Sequence, residues 1–78
     1  MNIDVVFCRH LLKGVLADVK RHCPHVEPKY AWVWHAGRGH WEFHGPEAFY
    51  WHGRAANAYD ARAKGWMAWL EKKEVLDG

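Results

Sequence analysis

Hydrophobic positions follow two different periods along this chain. From residue 4 to 22 they recur at helical spacing. Val5, Cys8, Leu12, Val15, Leu16, Val19 and Cys23 fall within an arc of about 100°. Asp4, or Asn2 before it, is placed to cap this helix. Pro24 ends it, and His22 sits in the last turn, where a cation is favoured. Gly14 lies on the outer face and weakens the helix by up to about 1 kcal/mol. A second reading begins with a short strand at Ile3–Phe7 and a helix only from Arg9.

Residues 24–28 form a connector stiffened by Pro24 and Pro28. The period then changes to two. Tyr30, Trp32 and Trp34 alternate with Ala31, Val33 and His35, and Trp41 and Phe43 alternate with His40, Glu42 and His44. Ala36-Gly37-Arg38-Gly39 between them reads as the turn of a β-hairpin. Gly45-Pro46 breaks the chain, and a third short strand is expected at Ala48–His52, with Phe49 and Trp51 on one face. After Gly53 a second helix is expected over Arg54–Lys73. Its apolar stripe is Ala55, Tyr59, Ala63, Trp66 and Leu70, with Asp60, Lys64, Glu71 and Lys72 opposite; Val75–Gly78 fray.

The order is α-β-β-β-α within a single domain over residues 1–78. Seven aromatic residues on one sheet face (Tyr30, Trp32, Trp34, Trp41, Phe43, Phe49 and Trp51) require a cover, and two amphipathic helices are available. The fold class expected is therefore α+β. It is a two-layer sandwich with two helices packed on one face of a three-stranded antiparallel sheet.

Composition narrows the chemistry. The chain of 78 residues contains no Ser, Thr or Gln, which excludes hydroxyl nucleophiles, Ser/Thr phosphorylation and the P-loop. Eleven Lys and Arg against nine Asp and Glu give a formal charge of +2, too small a bias to indicate nucleic acid or membrane. The seven histidines hold a reserve of positive charge below neutral pH. No apolar run approaches a membrane span or the core of a signal peptide, and two cysteines do not make a secreted disulfide scaffold, so a cytoplasmic location is expected.

A two-layer sandwich leaves the other sheet face open. Alternation assigns to it Ala31, Val33, His35, His40, Glu42, His44, Tyr50 and His52. With a turn at residues 36–39, His35 pairs with His40 and Val33 with Glu42. Directly opposed Cβ atoms lie ~5 Å apart, so His35 and His40 with Glu42 or His52 form a candidate zinc set. Imidazoles, a phenol and small apolar residues on a flat sheet fit a protein-binding face better than a metal centre, and no cofactor is expected. Partner-binding candidates are thus His35, His40, Glu42, His44, Tyr50 and His52. Trp69, beside Arg62 at the edge of the second helix's stripe, is added as an interface anchor; its plain alternative is a packed tryptophan under a cation.

Other chemistries are less well supported. On one helix Cys8 and Cys23 lie ~22 Å apart, too far for a shared metal or a disulfide. Cys8 and His10 point apart, so a cysteine nucleophile lacks its base, and no enzyme is expected. Arg9, Lys13 and Lys20 form a basic stripe on the first helix, and aromatic residues on a sheet can stack bases, but here the core needs those rings. Nucleic acid is accordingly not the expected partner. The chain is expected to be a monomer or a homodimer, since an exposed sheet edge can pair with a second copy.

Two stretches between Trp41 and Trp69 carry a resemblance: Trp-Glu-Phe-His-Gly-Pro-Glu-Ala-Phe-Tyr-Trp-His-Gly-Arg-Ala, and Asn-Ala-Tyr-Asp-Ala-Arg-Ala-Lys-Gly-Trp. This aromatic hairpin followed by an Ala-rich helix resembles small accessory proteins of bacteriophages and prophages, some of which are anti-CRISPR inhibitors. The resemblance covers just over a third of the chain and transfers no residue role. It implies a non-enzymatic binder from a mobile element, acting in the host cytoplasm by steric occlusion of a defence complex such as a CRISPR effector subunit. The alternative function is a small metal- or nucleic-acid-binding module that uses the histidine-rich sheet face.

Overall fold

The computed structural model describes residues 5–73. Helix α1 spans Val5–His22, strands β1, β2 and β3 span Trp32–Gly37, His40–His44 and Tyr50–Arg54, and helix α2 spans Ala58–Lys72. A single 3-10 turn at Pro28–Tyr30 leads into β1, and a tight turn at Pro46–Ala48, with Glu47 and Ala48 at positive φ (59° and 61°), leads into β3. The strands form an antiparallel meander in the order β1-β2-β3, which makes the fold α+β. Val5–Phe7 are helical, so the strand alternative fails there; Asn2, Ile3 and Asp4, like Val75–Gly78, lie outside the described residues.

Helix α1 buries Cys8, Leu12, Val15 and Val19, four of the seven positions in the sequence arc. Cys23 is buried just beyond its end, Leu16 is half-buried and Val5 is exposed. The helix rests mainly on α2, and α2 in turn packs against all three strands. One cluster joins Val15 and Val19 of α1, Trp66, Trp69 and Leu70 of α2, and Phe43 of β2. Gly65 permits the closest approach: a Cβ there would lie 2.1 Å from Phe43 Cγ. The Phe43 ring meets Trp66 edge-on at 5.2 Å, and Trp66 meets Trp69 likewise at 5.5 Å.

The second helix begins later than expected because the third strand runs on to Arg54. Its start is set by Asn57, whose side chain accepts from the Asp60 N–H at 2.9 Å, while Asp60 Oδ2 accepts from the Ala56 N–H at 2.9 Å. Two otherwise unpaired donors are thereby satisfied. This explains why Asp60 is buried although the sequence pattern put it on the polar face; Lys64 Nζ lies 3.2 Å from its carboxylate. The Asn57 amide also donates to Cys8 Sγ at 3.6 Å, tying this corner to α1.

The hairpin departs from the sequence reading by one residue. Its loop is Arg38-Gly39, both at positive φ (56° and 76°), as a type I′ turn requires. Ala36 is bulged out, so His35 pairs with Trp41, Val33 with Phe43 and Trp34 with Glu42. A one-residue slip turns a strand over. Val33 therefore joins the core in place of Trp32 and Trp34, which point to the outer face at 56% and 60% exposure.

Candidate functional site

The outer face of the sheet follows from the register. Across the strands run the rows Trp32, His44 and Tyr50, then Trp34, Glu42 and His52, then His40 and Arg54. Directly opposed residues share a face, so this set belongs together. It stands opposite Val33, Phe43 and Trp51, which face the helices.

Rings on this face touch in a continuous series across the sheet. Trp32 stacks on His44 at 4.9 Å with an interplanar angle of 9°. His44 meets Tyr50 at 5.2 Å, Tyr50 meets His52 at 5.7 Å, and His52 meets His40 at 5.2 Å. The last pair is also joined polar to polar, His40 Nε2 to His52 Nδ1 at 3.1 Å. Glu42 is the acid of these rows, and its Oε1 lies 3.5 Å from His44 Nε2. Tyr50 is held above its ordinary pKa, first by partial desolvation and then by the charge of Glu42.

Five of the eight expected partner-binding residues, His40, Glu42, His44, Tyr50 and His52, are therefore brought together here. His35 is not: the bulge sends it to the other face, where it stacks on Trp41 at 4.6 Å. The expected zinc set of His35, His40 and Glu42 is thereby separated, and among the described residues no three His, Cys, Asp or Glu groups converge to enclose an ion. Trp69 is not a surface anchor either. It is 1% exposed, packed edge-on against Trp66, with Lys73 Nζ 5.4 Å from its ring. Arg62 is half-buried and donates to the Ala31 carbonyl at 3.4 Å.

Sequence reasoning missed Trp32, Trp34 and Arg54 at this surface. The signal for the two tryptophans lay in Gly37-Arg38-Gly39. A two-residue x-Gly turn preceded by a glycine is the pattern of a tight hairpin with an adjoining bulge. Read that way, the small residues Ala31 and Val33 fall under the helices. Arg54, expected in the second helix, lies instead at the end of β3.

A second feature lies on the helical side. An open groove of about 440 Å³ runs between the helices, with Val6, Leu12, Leu16 and Tyr59 in its walls and Arg9, His10 and Lys13 around it. Arg9, although exposed, sits over the Tyr59 ring at 5.8 Å, so one cation of the expected basic stripe lies against α2. Among the described residues no helix is long and apolar enough to cross a membrane. Comparison with family models, with curated proteins and with solved structures finds no match for this chain.

Proposed function

We propose that this chain is a small, non-enzymatic binding protein whose outer sheet face docks onto another protein of acidic or mixed surface charge. The observation that carries this reading is the exposure of Trp32 and Trp34, at 56% and 60%, on a sheet face whose paired rows contain no lysine. Protein interfaces are enriched in Trp, Tyr and Arg and depleted in Lys and acids. This face carries Trp32, Trp34, Tyr50 and Arg54 with the single acid Glu42, whose Oε1 lies 3.5 Å from His44 Nε2. A net charge of +2 argues against an inhibitor that imitates nucleic acid, which would be strongly acidic.

The more specific version is a phage- or prophage-borne inhibitor that covers a working surface of a bacterial defence complex, in the manner of anti-CRISPR proteins, in the host cytoplasm. It rests on the sequence resemblance. A second reading also gains support from the two tryptophans. The core does not need these two rings, which stand in solvent, and such rings on a sheet can stack single-stranded bases.

The test is affinity capture from nuclease-treated lysate of a bacterium with an active CRISPR system, using the wild-type chain, a Trp32→Ala/Trp34→Ala double variant and Phe7→Ala on α1. Stoichiometric recovery of one defence-complex subunit by the wild type and Phe7→Ala, but not by the double variant, is the expected result. A partner retained by the double variant removes the sheet face from consideration. Capture that requires intact nucleic acid favours the second reading.

A further inference from the structure

We propose that His40 and His52 form a two-imidazole site for a late first-row divalent cation, zinc or copper(II), on the outer face of the sheet. The pair joins the first residue of β2 to the middle of β3, diagonally across the ladder. His40 Nε2 and His52 Nδ1 face each other at 3.1 Å. Two imidazole nitrogens bound to one ion at ~2.0–2.1 Å lie ~3.3 Å apart in a tetrahedral site and ~2.9 Å apart as neighbours in a square one. The observed separation falls between these values. A cation can therefore replace the contact between the two nitrogens through ring rotation, with no change in the backbone.

Three further features favour a cation there. His52 is exposed and His40 half-exposed, so a hydrated ion has access. The strands fix both Cβ positions, so little conformational freedom is lost on binding. Glu42 sits directly opposite His52 and two residues along β2 from His40, which places a carboxylate in the adjoining row. With two protein ligands the remaining coordination positions stay open to water. Copper(II) binds more tightly than zinc, in keeping with the general order for nitrogen ligands.

The experiment is a titration of the full chain with Zn²⁺, and separately with Cu²⁺, in a non-chelating buffer at neutral pH, followed through the histidine ring resonances. The expected result is saturable perturbation of His40 and His52 ahead of the other histidines. Loss of a ligand costs at least the ~10-fold typical of losing a partner beyond the ligands. His52→Ala and His40→Ala each therefore weaken binding by at least about tenfold, while His35→Ala, on the opposite face, leaves it unchanged. Far-UV circular dichroism of the three variants establishes that they fold alike. Unchanged affinity in both His40→Ala and His52→Ala, equal loss in His35→Ala, or no saturable response at these two rings overturns the assignment. The readout needs only this chain and the metal, so it is independent of the protein-partner reading.

Discussion

Gly65 and Gly14 both lie within helices and respond in opposite directions to the same added methyl group. At Gly65 a Cβ would lie 2.1 Å from Phe43 Cγ and 2.4 Å from its Cδ2, inside a fully buried contact. Alanine in a helix interior gains about 1 kcal/mol over glycine, whereas forcing an extra carbon into a packed core costs about 1–3 kcal/mol. The close atoms include Cβ and Cγ, the root of a fully buried side chain that cannot swing away, so the steric cost wins. Gly65→Ala is expected to lower stability by up to about 2 kcal/mol net. At Gly14 nothing lies within 4 Å, so only the propensity gain remains, and Gly14→Ala is expected to stabilise by up to about 1 kcal/mol. Urea unfolding of both variants, read as midpoint shifts at constant slope, decides the matter. A Gly65→Ala chain as stable as wild type would mean that α2 does not sit as close to the sheet as described.

At the scale of the element, strand β1 shows how much a sequence can reveal. Alternation identified three strands, their antiparallel order and the helical arc of α1, because period and turn residues are local properties. It did not identify which side of β1 is buried. That depends on one bulged residue, Ala36, and the bulge moves Trp32 and Trp34 from the expected core to solvent. Trp69 departs from its expected place for a different reason. A helix with one partner shows one apolar stripe, but α2 has the sheet on one side and α1 on the other. Its buried apolar positions, from Ala61 through Trp69 to Ala63, span roughly 200° at 100° per residue, and Trp69 lies inside that arc. The candidate site was legible in β2 and β3, whose alternation was read on the correct face, and illegible in β1. The turnover of β1 has a measurable consequence. Phe43→Ala is expected to cost about 3–5 kcal/mol, as truncation of a buried aromatic does. Trp34→Ala, losing only its cross-strand contacts, is expected to stay within about 1 kcal/mol of wild type. Similar losses in both variants would place Trp34 in the core and reverse the register.

For the whole molecule, the placement of α2 in the middle sets how the protein comes apart. The first helix contributes Leu12, Val15 and Val19 to the core. Full burial of an aliphatic side chain is worth about 1.5–3 kcal/mol, so these three together represent on the order of 5–9 kcal/mol. A domain of this length has a total stability of only about 4–12 kcal/mol. Detaching α1 alone therefore gives up apolar burial comparable in size to the whole molecule's margin of stability. It would also leave an 18-residue segment that is marginal as an isolated helix in water. No intermediate with α1 released should accumulate. The helical signal, supplied by α1 and α2, and the near-ultraviolet signal of the packed Trp66 and Trp69 rings should then be lost in one transition with the same midpoint. Thermal or urea unfolding followed by both signals on one sample measures this. A helical loss that precedes the tryptophan transition would show that α1 is only loosely seated, and that α2 and the sheet hold together without it. Coincidence would show that the outer sheet face is displayed on a scaffold that unfolds as one unit, so that its rows of rings persist for as long as the molecule is folded.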